Sequence, residues 1–587
     1  MHLRETLASP PGSAPMGTPA VVDPHTILAS IPRWRDVLEL TQKNAVYMAK
    51  FKVGYPRFFM HNSVRKLTDV CLEAVNGVDG ELMTMVFPTP RILHECVSYL
   101  SQKGGIDNPQ KVGDIRVVHF DITGPSKVSM SPPDSIHVVL FPPELEETAK
   151  AFWLNAGMGI SSRHAEYLLR RLEEGDILMV VQRPSENRLN KYSGALSEKV
   201  VMRQRIAGLL NGGDGDQPAS LLVEAPDIGK RPIQPEDVFL YPSGMSAIWH
   251  AHQLTRTLFP NLKCAAFGFL YVDSMNVYQN WGEGLINYFD DPDATLKELD
   301  QNPPKISALY TELPSNPLLK SPNLSKIRNL ADQHGFLVVV DQTVGNFINV
   351  DVIKYVDIVC TSLSKMFSGS ANVLGGSLAI NPNSRHYDSM RAYLLSEFVD
   401  DFYHEDAIVM EYNSRDFAKR VRTANANTME IATLLRSRSI SYSNSSKSHA
   451  PNPRNLLAVK DVYFPRWVTR DEYEICRRPY PDSNNYGQLI TITFVSTKAS
   501  EAFYDALQCV KAPSIGTNFT LAVPYVVLAH YHERDVVAKH GLDEALVRLS
   551  VGIEEQDVVI EWVETALEAA EKTLEVADNQ HRLAPLL

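Results

Sequence analysis

The sequence predicts an α/β fold built on a mostly parallel sheet, and three observations carry that reading. Between residues 235 and 380, short apolar runs alternate with helical stretches, the pattern of strands covered by helices on both faces. One helix in this stretch is punctuated at both ends, with Ser321 as cap, Pro322 in the first turn and Gly335 as stop. Glu312, Asp341 and a Ser-Lys run close three of the strands, and ligands of such sheets sit outside the carboxyl ends of the strands.

The elements follow in chain order. Residues 1–24 are rich in Pro, Gly, Ser and Ala, carry Arg4 and Glu5 and show no hydrophobic signal core, which predicts a disordered tail and a cytoplasmic location. Residues 25–220 predict an N-terminal α/β extension, with strands at 82–87, 115–120 and 136–141 and helices at 92–100 and 162–172. The run Asn211-Gly-Gly-Asp-Gly-Asp-Gln-Pro218 signals a linker. A large domain over 221–400 should follow, with strands at 238–241, 264–269, 306–312, 336–341 and 356–361, and with Leu324, Ile327, Leu330 and Ala331 on one face of the punctuated helix. Residues 401–587 predict a smaller α+β domain. It would hold a long helix over 405–436, a Ser/Asn loop over 437–452, a strand at 489–494 and a closing helix at 557–576.

Composition excludes several function classes. With 57 basic against 69 acidic side chains, the formal charge of −12 invites neither nucleic acid nor an anionic membrane. No uncharged apolar stretch reaches spanning length. The six cysteines show no CxxC spacing, so neither a metal site nor a disulfide framework is indicated, and reduced, mostly buried thiols are expected.

The chemistry concentrates at strand ends. Lys365 lies in Ser362-Leu-Ser-Lys365, one strand after Asp341. A lysine beside hydroxyl donors, following a buried-looking aspartate, is what pyridoxal 5'-phosphate (PLP) chemistry requires. The amine bonds the cofactor's aldehyde, and the carboxylate keeps the pyridine nitrogen protonated. Upstream, Ser243-Gly244-Met245 joins a strand to a helix. Exposed amides at a helix start, with a glycine permitting close approach, bind a phosphate dianion. Ser362 and Ser364, two apart at a strand end, project the same way and add hydroxyl donors.

These segments, with Glu312-Leu-Pro-Ser-Asn-Pro317, Ser514-Ile-Gly516 and Arg548-Leu-Ser-Val-Gly-Ile-Glu554, resemble the PLP-dependent Cys/Met-metabolism family of trans-sulfuration enzymes. The resemblance covers residues 180 to 570. Ser514-Ile-Gly-Thr-Asn-Phe-Thr-Leu521 and Gly54-Tyr-Pro-Arg-Phe-Phe59 look like the long fungal branch of cystathionine γ-synthases. It implies fold type I, the aspartate-aminotransferase-like architecture. It also implies roles: Lys365 as cofactor anchor and proton carrier, Asp341 on the pyridinium, and Asn316 on the ring hydroxyl. Tyr271 would stack on the cofactor and assist proton transfer. Arg548 would clamp the substrate carboxylate with its planar fork, with Ser514 and Asn316 beside it.

Two departures stand out. The family's Tyr-x-Arg-x-x-Asn-Pro-Thr run, which reaches the phosphate from a neighbouring subunit, has no counterpart; Arg188 and Tyr192 are the candidates in its place. Phe519 stands where many relatives carry a glutamate. The resemblance implies γ-substitution on an activated L-homoserine, with O-acetyl-L-homoserine as electrophile and cysteine thiol as nucleophile, in a homodimer or tetramer. A carbon nucleophile such as a β-keto acid or ester enolate, an α,γ-lyase and a silent scaffold are the alternatives.

Overall fold

The computed structural model describes residues 7–55, 59–75, 82–105, 110–124, 134–182, 197–215, 230–289, 292–445, 457–479 and 484–583. Among them the strands form three sheets. The first is four-stranded, built from β1 (Met83–Phe87), β2 (Arg116–Thr123), β3 (Asp134–Phe141) and β4 (Ile177–Val181) in the order β1-β3-β2-β4, with every ladder antiparallel. Three of its strands and the helices Pro90–Tyr99 and Ser162–Glu173 fall where the apolar pattern placed them. Strand β4, an unbroken apolar run, and the helices Asn62–Ala74, which buries Val64, Leu67 and Cys71 on one face, and Glu146–Ala156 were not anticipated.

The central sheet contains β5 (Val238–Tyr241), β6 (Lys263–Phe267), β7 (Leu285–Tyr288), β8 (Ile306–Glu312), β9 (Leu337–Asp341), β10 (Ile358–Ser362) and β11 (Gly376–Ile380). Its order is β5-β11-β10-β9-β8-β6-β7, and β11 alone runs antiparallel to its two neighbours. Successive side chains of a strand point to opposite faces. Accordingly Val338 and Val340 of β9 join one buried cluster, while Leu337 and Val339 join another on the far side. Each such fully buried aliphatic contributes roughly 1.5–3 kcal/mol, which is why these runs are continuously apolar.

The third sheet comprises β12 (Val459–Tyr463), β13 (Leu489–Phe494), β14 (Val510–Lys511), β15 (Leu521–Val523) and β16 (Leu546–Ser550), in the order β12-β13-β16-β15-β14. The closing helix runs Gln556–Leu583. No helix of the described residues is long and apolar enough to cross a membrane. All six cysteines are free and buried.

Four expectations need correction. Residues 7–24 are not a free tail: Ala20 and Val21 are buried with Ile27 and Leu28 against Ala371, Val510 and Leu521. Backbone bonds Ile27 N–H to Ala371 O (2.9 Å) and Ile31 N–H to Lys511 O (2.8 Å) pin the segment. The four aliphatics are spread among prolines and small residues, so no local period betrays them. Next, helix Ser197–Leu210 buries Met202, Ile206 and Leu209 in a core shared with the central sheet, so that unit begins before the linker rather than after it. The expected helix over 405–436 is two, His404–Asn413 and Phe417–Ser437. They part at Ser414-Arg415-Asp416, where Ser414 and Asp416 favour caps over helix interior. Finally, the helix Leu324–His334 is capped by Asn323, whose side chain accepts the Lys326 N–H, and not by Ser321; Gly335 ends it in the left-handed conformation, at φ 84°.

Candidate active site

The parallel register of the central sheet brings the site together. Glu312, the last residue of β8, lies directly beside Asp341, the last residue of β9, and Cys360 of β10 pairs with Asp341. The turn after Asp341 is closed by its own side chain, which accepts the Thr343 N–H at 2.8 Å. Thr343 Oγ1 then accepts the Ser362 N–H at 2.8 Å. Burial pushes the Asp341 carboxyl above its ordinary range, while the Thr343 bonds and the Lys365 charge oppose the shift. Glu312 is pushed further, to about 8, by burial first and then by the Asp341 charge.

Lys365 follows β10 in a tight turn. Its Nζ donates to Ser514 Oγ at 2.9 Å and to Tyr55 Oη at 3.0 Å, with the amine 4.5 Å from the Tyr55 ring centroid. Gly516 has φ +67°, and a Cβ there would lie 2.7 Å from Met366 N. Only glycine lets the Ser514 loop come this close to the lysine turn. The Ser514 carbonyl also accepts from Arg548 Nη2 at 3.0 Å, so this one residue ties the lysine to the arginine.

Arg548 stands in β16 and is 7% exposed. Its Nη1 donates to Asn316 Oδ1 at 2.9 Å, and its guanidinium lies 4.8 Å from the Tyr525 ring centroid. The Asn316 N–H donates to Glu312 Oε2 at 3.1 Å. Tyr271, at the start of helix Val272–Asn280, donates its N–H to Glu312 Oε1 at 2.6 Å.

The helix Gly244–Leu258 begins at the same place. Ser243 caps it, accepting the Ser246 N–H at 3.0 Å and donating to Gly157 O at 2.8 Å. The first amides of a helix have no acceptor within it. A Cβ on Gly244 would lie 2.6 Å from Ser362 Cβ, so the glycine is what allows the helix start to meet the end of β10. Ser364 departs from the expected pattern: β10 ends at Ser362, the alternation of strand side chains stops there, and the Ser364 hydroxyl bonds both polar groups of the Gly375 backbone.

Lys365, Asp341, Tyr271, Asn316, Ser243, Gly244, Met245, Ser362, Ser364, Ser514 and Arg548 all line one cavity of about 250 Å³. Arg188 and Tyr192 lie outside the described residues. Phe519 is fully buried in the cluster that holds the N-terminal segment. Sequence reasoning assigned no role to Tyr55 or Glu312. The signals available were the Gly54-Tyr-Pro-Arg-Phe-Phe59 run and the position of Glu312 at a strand end.

A family model described as Cys/Met metabolism PLP-dependent enzyme matches residues 234–568, which hold all of that lining except the N-terminal wall. The chain belongs to this family. A second model, the N-terminal domain of fungal trans-sulfuration enzymes, matches residues 63–161. Among curated relatives, the cystathionine gamma-synthase-like enzyme iboG1 of Amanita muscaria is 39% identical over 96% of this chain and 99% of its own. Cystathionine gamma-synthase of Neurospora crassa is 31% identical over 93% and 97%. Alanine racemase ungC of Aspergillus violaceofuscus is 30% identical over 95% and 97%. As a member of the Cys/Met metabolism family, the protein is a PLP-dependent enzyme of fold type I.

The residues present fit that cofactor. The half-buried carboxyl of Asp341 suits a cationic ring nitrogen, a helix start opened by Gly244 suits a phosphate, and a lysine amine opens on the same cavity. The cavity's far wall comes from the N-terminal region, where Arg163 Nη1 donates to Asp406 Oδ1 at 3.0 Å and to Asn372 O at 2.9 Å.

Proposed function

We propose that the enzyme performs γ-substitution on an activated L-homoserine, O-acetyl-L-homoserine, with a thiol such as cysteine as nucleophile, giving cystathionine. The observation that carries this reading is the convergence of Lys365, Asp341 and Arg548 on one cavity, supported by the trans-sulfuration relatives. PLP supplies an aldehyde that bonds amines and a ring that accepts electrons.

The chain's own residues do the rest. Ser243, Gly244 and Met245 would hold the phosphate at the helix start, with Ser362 beside them. Asp341 would keep the proton on the ring nitrogen, and Asn316 would hold the ring hydroxyl. Tyr271 would stack on the ring and assist proton transfer. Arg548 grips the substrate α-carboxylate, oriented by Asn316 Oδ1 and the Ser514 carbonyl. Lys365 Nζ takes the proton from the substrate α-carbon while the Tyr55 and Ser514 hydroxyls fix the amine. After a β-proton is also removed, acetate leaves the γ-carbon and the thiol sulfur bonds there, its proton matching the acetate released, and protons return to the α- and β-carbons.

A carbon nucleophile, the enolate of a β-keto acid or ester, is a second reading. It is favoured by the apolar part of the N-terminal wall, where Phe59, Met60, Trp153 and Ile160 line the cavity. We also propose a homodimer or tetramer in which Arg188 or Tyr192 completes a phosphate site across the interface; activity recovered on mixing Lys365→Ala subunits with Arg188→Ala, Tyr192→Ala subunits, with sedimentation of the native enzyme, tests this. The deciding experiment incubates the enzyme with O-acetyl-L-homoserine and a panel of thiols and carbon acids, read by mass spectrometry. Products with cysteine support the first reading, products with carbon acids alone the second, and release of an α-keto acid alone refutes both.

A further inference from the structure

Glu312 is a costly residue in an unusual place. It is 6% exposed and sits in register beside a second, half-buried carboxylate, Asp341. Two such groups repel, and each loses hydration. Yet both of its oxygens are committed, Oε1 to the Tyr271 N–H at 2.6 Å and Oε2 to the Asn316 N–H at 3.1 Å. One carboxylate therefore grips two separate backbone segments. The first opens helix Val272–Asn280. The second carries the side chain whose Oδ1 accepts from Arg548 Nη1 at 2.9 Å. Both N–H groups need an acceptor, and the two oxygens of one side chain supply one to each.

We infer that Glu312 is a positioning residue: it sets Tyr271 and Asn316, and through Asn316 the Arg548 guanidinium, in one frame around Asp341. The inference rests on the reading of the site proposed above and adds to it a residue that acts through its neighbours. An apolar side chain at this position would remove the acceptor that holds the Asn316 and Tyr271 N–H groups together. Glutamine would satisfy one and turn an N–H2 donor toward the other.

The test is Glu312→Gln, made in the full chain. Its cofactor dissociation constant, measured by titrating the cofactor-free protein with PLP, should rise about tenfold or more. The absorbance maximum of the bound cofactor should shift, and KM for O-acetyl-L-homoserine should rise more than kcat falls. Glu312→Asp, which keeps both acceptors on a shorter arm, should give intermediate values. Wild-type cofactor affinity, absorbance and KM in folded Glu312→Gln overturn the inference. If that variant is not recovered folded, Glu312→Asp decides alone: intermediate values uphold the inference, and wild-type values overturn it. Asp341→Asn separates the two levels. If it is impaired while Glu312→Gln is normal, only the positioning role falls; if Asp341→Asn is also normal in cofactor affinity and turnover, the reading of the site falls with it.

Discussion

Tyr55 Oη lies 3.0 Å from Lys365 Nζ, across 310 residues of chain. With Ser514 Oγ at 2.9 Å it fixes the amine from two sides, and the N-terminal segment that carries it is held by backbone bonds to Ala371 and Lys511. Tyr55→Phe keeps the ring under the amine but removes the hydroxyl. Losing a hydrogen bond to a charged donor, worth about 1.5–3 kcal/mol, should lower turnover about 10- to 100-fold with the melting temperature little changed. Unchanged turnover would leave Tyr55 as a packing residue.

Lys365→Ala should abolish catalysis. Borohydride treatment of the native enzyme should bleach its absorbance and leave reduced cofactor on the peptide containing Lys365. Attachment at any other lysine would sink the assignment.

Asp341→Asn should bind PLP and yet turn over slowly. An amide cannot hold the ring proton, and losing a preorganised electrostatic partner commonly costs about 10²–10³ in rate. Near-normal turnover in this variant argues against the electron-sink role.

Arg548→Ala should act mainly on KM for the amino-acid substrate, because a desolvated charge pair is worth about 2–5 kcal/mol when one partner is removed. Arg548→Lys should rescue poorly, since a point charge reproduces neither the fork nor the stacking on Tyr525. If steady-state kinetics show neither change affecting that KM, the carboxylate is bound elsewhere.

Glu312 also predicts a pH dependence of stability in the cofactor-free protein. Its carboxyl is raised to about 8, so the folded state favours the protonated form. The stability it contributes is complete below the ordinary carboxylate pKa and is lost as pH rises through about 8. Melting temperatures measured from pH 5 to 9 should therefore fall more steeply in the native protein than in Glu312→Gln, which has no proton to lose. Parallel curves would refute this.

Much of the site was legible before the fold was known. Asp341 and Lys365, read from strand ends, and Arg548, read from the family resemblance alone, line one cavity with Ser243-Gly244-Met245. Ser364 shows the limit of that argument: its spacing from Ser362 implied a shared direction, but the strand stops between them. The split of the helix expected over 405–436 is another limit, since its helical pattern continues through the break at Ser414-Arg415-Asp416.

The sequence by itself determined the alternation of buried strands and helices, and with it which residues stand at strand ends. Apolar period and turn chemistry act over a few residues, so they can be read locally. Only the tertiary structure decided that residues 7–31 wrap onto the third sheet, that Tyr55 meets Lys365, and that Glu312 stands beside Asp341. Those contacts come from long-range burial and from parallel strand register, whose partners lie tens to hundreds of residues apart and leave no local trace.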